Sequence, residues 1–171
     1  MNRIIEERRS CRKFDSSKAV EPSKIEEIVQ AGLLAPTGMN TQDTIVLVIE
    51  NKRKRDEYAK LNAGVIGWNI DPFYGAPVVL VVAAKKTAFA DLNGGAMMMS
   101  MLLEATNQGL ATCWIHRAKE VLATKEGQAL FADLGLNLDE YVGVGNIALG
   151  YPLEAPKGKK EIKPGRAFYL K

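Results

Sequence analysis

The chain is poor in the residues that build metal centres and disulfide frameworks. Its one histidine is His116, and its two cysteines, Cys11 and Cys113, lie far apart with no CxxC spacing. This excludes the common cysteine and histidine metal patterns and fits a reducing, cytoplasmic compartment. Long hydrophobic runs are also missing. The longest, residues 76–84, is far shorter than the ~20 residues that cross a bilayer, and charges spread through residues 1–20 leave no room for a signal peptide's apolar segment. No membrane association is expected. An excess of one charge is lacking too: 23 basic against 20 acidic residues leave a net charge of +3. A nucleic-acid partner would require a broader basic face, so none is expected. What remains is a chain of 171 residues with 47% hydrophobic content, enough for one core and one domain over residues 1–171.

Positive charge is instead concentrated in Arg8-Arg9-Ser10-Cys11-Arg12-Lys13-Phe14. Arginine forks match phosphate oxygens and Ser10 adds a neutral donor, so this stretch is either a phosphate site or a solvated basic face. Around it the sequence predicts a short helix over residues 2–7 and a second helix opened by a capping box, Ser23 with Glu26, and ended before Pro36. A turn-rich loop follows, Pro36-Thr37-Gly38-Met39-Asn40-Thr41-Gln42. Buried strands are expected at residues 45–49, 78–82, 111–115 and 142–149, with helices at 51–60, 91–108 and 122–134. Residues 62–75 show no clean periodicity, and 152–160 read as an extended Pro- and Lys-rich arm. The cluster Met97, Met98, Met99 and Met101 either lines a pocket or fills gaps around a central helix that Gly109 terminates. Gly143-Val144-Gly145-Asn146-Ile147-Ala148 matches a dinucleotide-binding fingerprint in letters only. No helix opens after it, and the glycines read as close-packing positions within a strand.

Five segments in order resemble the small, oxygen-insensitive FMN-dependent nitroreductases: residues 8–14, Ala35-Pro36-Thr37-Gly38-Met39-Asn40-Thr41-Gln42, Asp71-Pro72-Phe73-Tyr74-Gly75-Ala76-Pro77, Gly109-Leu110-Ala111-Thr112-Cys113-Trp114-Ile115, and Leu149-Gly150-Tyr151-Pro152. The resemblance implies an α+β fold, with a mixed, mainly antiparallel central sheet flanked by helices and a C-terminal strand, residues 165–171, exchanged between the subunits of a homodimer.

It also implies roles. Arg8 and Ser10 would take the FMN phosphate, Arg9 would lie near the ribityl chain, and Arg12 would face the pyrimidine edge of the flavin. Pro36, Thr37, Gly38, Asn40 and Gln42 would cover the flavin from the other subunit. Cys113, Trp114, Ile115 and His116 would run beneath the ring with backbone groups towards its N5 and O4 edge, and His116 is either a proton donor or a bystander. Cys11, flanked by arginines, is expected to point into the core. Two features depart from the family pattern. Asp43-Thr44 stand where an aromatic residue is often found, and Lys160 and Lys163 are the candidates for a tail phosphate contact whose arginine position holds Ile162. The expected activity is a ping-pong reduction of nitroaromatics, quinones or related small acceptors with NADH or NADPH, the flavin carrying the chemistry. Alternatives are a flavin-fragmenting or dehalogenating enzyme of the same fold, a non-catalytic flavin protein, and an anion-binding module.

Overall fold

In a computed structural model, residues 2–154 and 161–171 are described. Four strands, β1 (Thr44–Ile49), β2 (Val78–Lys85), β3 (Ala111–Ile115) and β4 (Tyr141–Gly150), form one sheet in the order β1-β2-β4-β3. Among the described residues every strand pair is antiparallel, and the one parallel contact is a bridge from Ser10 to Thr112 at the β3 edge. The α+β fold with a mainly antiparallel sheet is as expected. β2 is buried on both faces because its alternating side chains serve two cores. Val79, Val81 and Ala83 pack with Tyr58 of α3 (Lys52–Gly64), Phe73 and α5 (Ala118–Leu122). Val78, Leu80 and Val82 pack with α2 (Pro22–Leu33) and α4 (Ala90–Asn107). Met97, Met98 and Met101 are buried in this second core and fill gaps there, while Met99 is exposed.

The glycines of the false fingerprint are packing devices. A Cβ on Gly143 would stand 2.3 Å from the Ala118 carbonyl, and one on Gly145 2.8 Å from the Met98 sulfur. Both lie inside β4, which bulges where Val82 pairs with Gly145 and Ala83 with Gly143.

Several boundaries differ from the sequence expectation. The capping box is not formed. Pro22, with its φ already helical, takes the first helical position, so Glu21 is the N-cap and Ser23 falls within the first turn. The helix expected at 122–134 is three pieces: α5, α6 (Lys125–Ala129) and a single 3-10 turn at Ala132–Leu134. Thr124 causes the break, its hydroxyl bonding back to the Val121 carbonyl at 2.8 Å and accepting from the Gly127 N–H at 3.0 Å. α3 runs on to Gly64 because Asn62 and Ala63 are buried, which takes the first residues from the segment read as irregular. The first helix, α1, is Arg3–Glu7 with Asn2 as its cap. Residues 165–171 form no strand with the other described residues and are exposed, Phe168 at 91% and Tyr169 at 81%. No helix among the described residues is long and apolar enough to cross a membrane.

Candidate functional site

The basic stretch becomes a site because α1 ends just before it and the chain then lies along the β3 edge. The Cys11 N–H donates to the Thr112 carbonyl at 2.8 Å, and further on the Asp15 N–H reaches the Tyr151 carbonyl and the Leu153 N–H the Lys13 carbonyl, each at 2.9 Å. An added edge segment of this kind fixes which side chains face inward. Cys11 and Phe14 point into the core, as expected for Cys11, while Ser10 and Arg12 remain exposed and Arg8 and Arg9 half-buried.

Their environments separate the three arginines. Arg9 turns back on α1, its Nη1 donating to the Glu6 carbonyl and to the Arg8 carbonyl at 2.8 Å, so it closes the helix C-terminus. Arg8 and Arg12 have no carboxylate partner among the described residues. Both bear on the Cys113 thiol, with Ser10. Burial pushes that thiol up from its ordinary value, against the pull of the Arg12 charge, a Ser10 hydrogen bond and the Arg8 charge. The backbone bridge from Ser10 to Thr112 sets this stretch against the β3 edge, with Arg8 and Arg12 on either side of Ser10 in the chain as two uncompensated cations among the described residues. Beside them the Thr112 hydroxyl is buried without a hydrogen-bond partner among the described residues. Such orphaned groups are uncommon, and the open cations with the exposed Ser10 are a donor set that suits a phosphorylated ligand such as FMN.

The C-terminal end of β3 is held by a buried amide network that the sequence reading missed. The Asn146 side-chain N–H group donates to the His116 carbonyl at 2.8 Å, and that of Asn62 to the same oxygen at 3.0 Å. Tyr58 donates its hydroxyl to Asn146 Oδ1 at 2.7 Å, and its burial raises the phenol pKa so that it stays protonated. With its carbonyl pinned inward, His116 carries its imidazole exposed at the strand end. Trp114 is partly exposed while Cys113 and Ile115 are buried, so the four residues expected beneath the ring occupy one strand end with different accessibilities. Next in the chain Arg117 takes a left-handed φ of 75°.

The loop at 36–42 is strained: Met39, Asn40 and Gln42 have φ values of 54°, 54° and 49°. It is tied to α4, the Gly38 N–H donating to Asn93 Oδ1 at 2.9 Å, and closed on itself by the Gln42 N–H donating to Thr37 Oγ1 at 3.0 Å. The Gln42 amide also reaches Asn40 Oδ1 at 3.1 Å. Gly38 is where the Phe89 ring sits, 3.1 Å from the place of a Cβ. Pro36 and Met39 stand exposed.

One chain does not bring this loop to the basic cluster. Thr44, just after the loop, pairs with Ala84, which pairs with Val142, whereas Thr112 pairs with Leu149. Loop and cluster therefore sit at opposite edges and opposite ends of the sheet, about 14 Å apart across the strands and roughly 20 Å along them. Lys163 is exposed with no partner at the cluster, and Lys160 lies outside the described residues.

The sequence profile of the Nitroreductase family matches residues 5–66 and 67–151. Solved structures share the fold over the whole length. A nitroreductase with bound FMN from Bacteroides fragilis NCTC 9343 is 24% identical, with a TM-score of 0.88 and 100% of both chains covered. A nitroreductase with bound FMN from Desulfitobacterium hafniense DCB-2 is 25% identical, with a TM-score of 0.76 and 100% of both chains covered. An FMN-dependent nitroreductase from Clostridium difficile R20291 is 22% identical, with a TM-score of 0.75, covering 98% of this chain and 97% of its own. No curated protein matches the chain.

Proposed function

The chain belongs to the Nitroreductase family, and on that premise we propose that it is an FMN-dependent NAD(P)H oxidoreductase working as a homodimer with flavin sites shared between subunits. The observation that carries this reading is the pair of uncompensated arginines, Arg8 and Arg12, fixed with Ser10 against the β3 edge.

Arg8 and Ser10 would hold the phosphate by charge-assisted hydrogen bonds. Arg12, further along the same edge, would face the pyrimidine end, where a cation would stabilise negative charge on the reduced cofactor. When bound, FMN supplies hydride chemistry between a nicotinamide nucleotide and an acceptor such as a nitroaromatic or quinone. The end of β3, from Cys113 to His116, is the platform for the ring, and the amide network behind His116 keeps it rigid. The exposed His116 imidazole is either a proton donor to the acceptor or a bystander, since solvent can serve the same purpose. Donor and acceptor would alternate at one open face, which is the reason for proposing ping-pong turnover.

The separation of the 36–42 loop from the cluster supports a two-subunit site. A partner's loop, with Pro36, Thr37, Gly38 and the amides of Asn40 and Gln42, covers the flavin that one chain alone leaves open. Residues 165–171 then pair with the partner's sheet, which covers the otherwise exposed Phe168, Tyr169 and Leu170, and Lys163 on the same arm is the candidate for a phosphate contact among the described residues.

The test is direct. The protein purifies yellow with FMN, NADH or NADPH bleaches it anaerobically, and nitroaromatics or quinones restore the colour. Deleting residues 165–171 lowers dimer content by size exclusion and flavin occupancy together. Flavin that no nicotinamide nucleotide reduces would leave a non-catalytic flavin protein, and a fully loaded truncated dimer would remove the exchanged arm.

A further inference from the structure

Arg117 follows β3 directly and is an unusual residue for its conformation. Its φ of 75° belongs to the left-handed region, which glycine and asparagine occupy far more readily than a long side chain. The surroundings hold it there. Its Nε donates to the Asn62 carbonyl at 3.1 Å and to Asn62 Oδ1 at 3.0 Å. Asn62 is itself fully buried and bonded to the His116 carbonyl, so the guanidinium is anchored to the network that fixes the strand end. Its central carbon lies 5.5 Å from the centroid of the Trp68 ring, a cation–π distance.

The remaining edge of the fork is open. Neither terminal nitrogen has a hydrogen-bond acceptor or carboxylate among the described residues. Trp68 is half exposed, and Ile66, Ile70 and Tyr74 on the same segment are exposed as well. A half-buried guanidinium, locked through Nε and presenting two free nitrogens beside an exposed aromatic face, suits a planar molecule that carries an acid group. The fork takes the acid in two parallel hydrogen bonds while the ring lies along Trp68.

We propose that Arg117, with Trp68, selects anionic planar electron acceptors, of the class of carboxylated nitroaromatics and quinones, at the rim of the flavin site. This rests on the reading of the β3 end as the face beside the flavin. It assigns Arg117 a specificity role and gives the left-handed strain a purpose: Arg117 cannot be relaxed to glycine without losing the anion contact.

The experiment compares 4-nitrobenzoate with its neutral analogue 4-nitrobenzamide, in wild type, Arg117→Gln and Arg117→Lys, as FMN-loaded proteins with saturating NADH. Arg117→Gln is expected to raise KM for 4-nitrobenzoate at least about tenfold, the effect of losing a charge-assisted contact. Its kcat, and both constants for 4-nitrobenzamide, should change less than about twofold, and Arg117→Lys should recover part of the loss. Calorimetric binding of benzoate and benzamide to the flavin-loaded proteins provides a readout independent of turnover, with benzoate alone weakened by Arg117→Gln. Equal losses for both acceptors, or unchanged benzoate binding, would overturn the proposal and leave Arg117 as a structural clamp. With the KM for each nucleotide measured in parallel, a loss in Arg117→Gln confined to NADPH relative to NADH would overturn it too, since the anion recognised would be the nucleotide's 2′-phosphate. Should NADH fail to bleach the wild-type flavin, the functional reading fails, and the benzoate titration still decides the anion contact.

Discussion

Two groups of arginines in this molecule have opposite circumstances, and the contrast separates what holds the fold from what awaits a ligand. Arg55 on α3 is buried and satisfied. Its Nε donates to the Ala76 carbonyl at 3.0 Å, Nη1 to Asp56 at 3.1 Å and Nη2 to Asp71, while the Phe73 ring lies 5.8 Å away. Asp71 in turn accepts from the Phe73 N–H at 2.9 Å and the Gly75 N–H at 2.7 Å, so one ion pair fixes the turn that enters β2. Arg8 and Arg12 have no such compensation among the described residues, although the chain has 20 acidic residues to spend. Like charges held together without carboxylates repel one another, and the arrangement makes sense when an anion completes it. The lesson is that a satisfied guanidinium is scaffold and an open one is function, which also places Arg117 with the second group.

The comparison can be broken by substitution. Arg55→Met should cost most, about 3 kcal/mol or more of unfolding free energy in a urea titration, because Asp71 loses its cation and the turn before β2 loses its anchor. FMN affinity of the folded protein should change little. Arg8→Ala should do the reverse, weakening FMN binding by roughly 1.5–3 kcal/mol in a fluorescence titration while leaving stability unchanged or slightly higher. If Arg8→Ala unfolds the protein as readily as Arg55→Met, the two groups are not different in kind. Arg12→Ala should have less effect on affinity than Arg8→Ala and should lower the flavin midpoint potential, on the order of 30 mV for each tenfold loss in relative affinity for the reduced form. Equal effects of Arg8→Ala and Arg12→Ala on both quantities would show the roles misassigned.

The smallest effect concerns pH. The Lys52 hydrogen bond, then that from Arg55, holds the Asp56 carboxyl below its ordinary value of 3.8. A depressed folded value means the stabilisation is complete above 3.8 and lost as the pH falls below it through the folded value. Since the Lys52–Asp56 pair is largely exposed, its share is no more than about 0.5 kcal/mol and should shrink in high salt. A Lys52→Ala variant should flatten the acid limb of stability by that amount.

The sequence made the sheet readable and left the relations between elements largely hidden. Residues 45–49 and 111–115 are short β-branched or apolar runs between loops, and both strands begin within one residue of expectation. The false fingerprint at Gly143 and Gly145 was resolvable because no helix follows it. Pro22 and Thr124 misled in the same way: each sets a helix boundary through local geometry that the periodicity of apolar residues does not register. Within the site, Arg8 to Arg12 were legible as a charge cluster with a hydroxyl, whereas Arg117 was not. Its significance comes from a left-handed backbone and from Asn62 and Trp68, more than 40 residues earlier, brought beside it by the fold. The placement of the 36–42 loop away from the cluster was likewise a property of strand order, which single-chain patterning does not reveal.

The measurement that bears most directly on the central claim is the affinity of the apoprotein for FMN against riboflavin, which differ only in the phosphate, in wild type and Arg8→Ala. The account predicts that wild type binds FMN more tightly by at least about tenfold and that Arg8→Ala removes most of this difference while leaving riboflavin binding unchanged. Equal affinity of wild type for the two flavins, or a preference for FMN that survives Arg8→Ala intact, would contradict it.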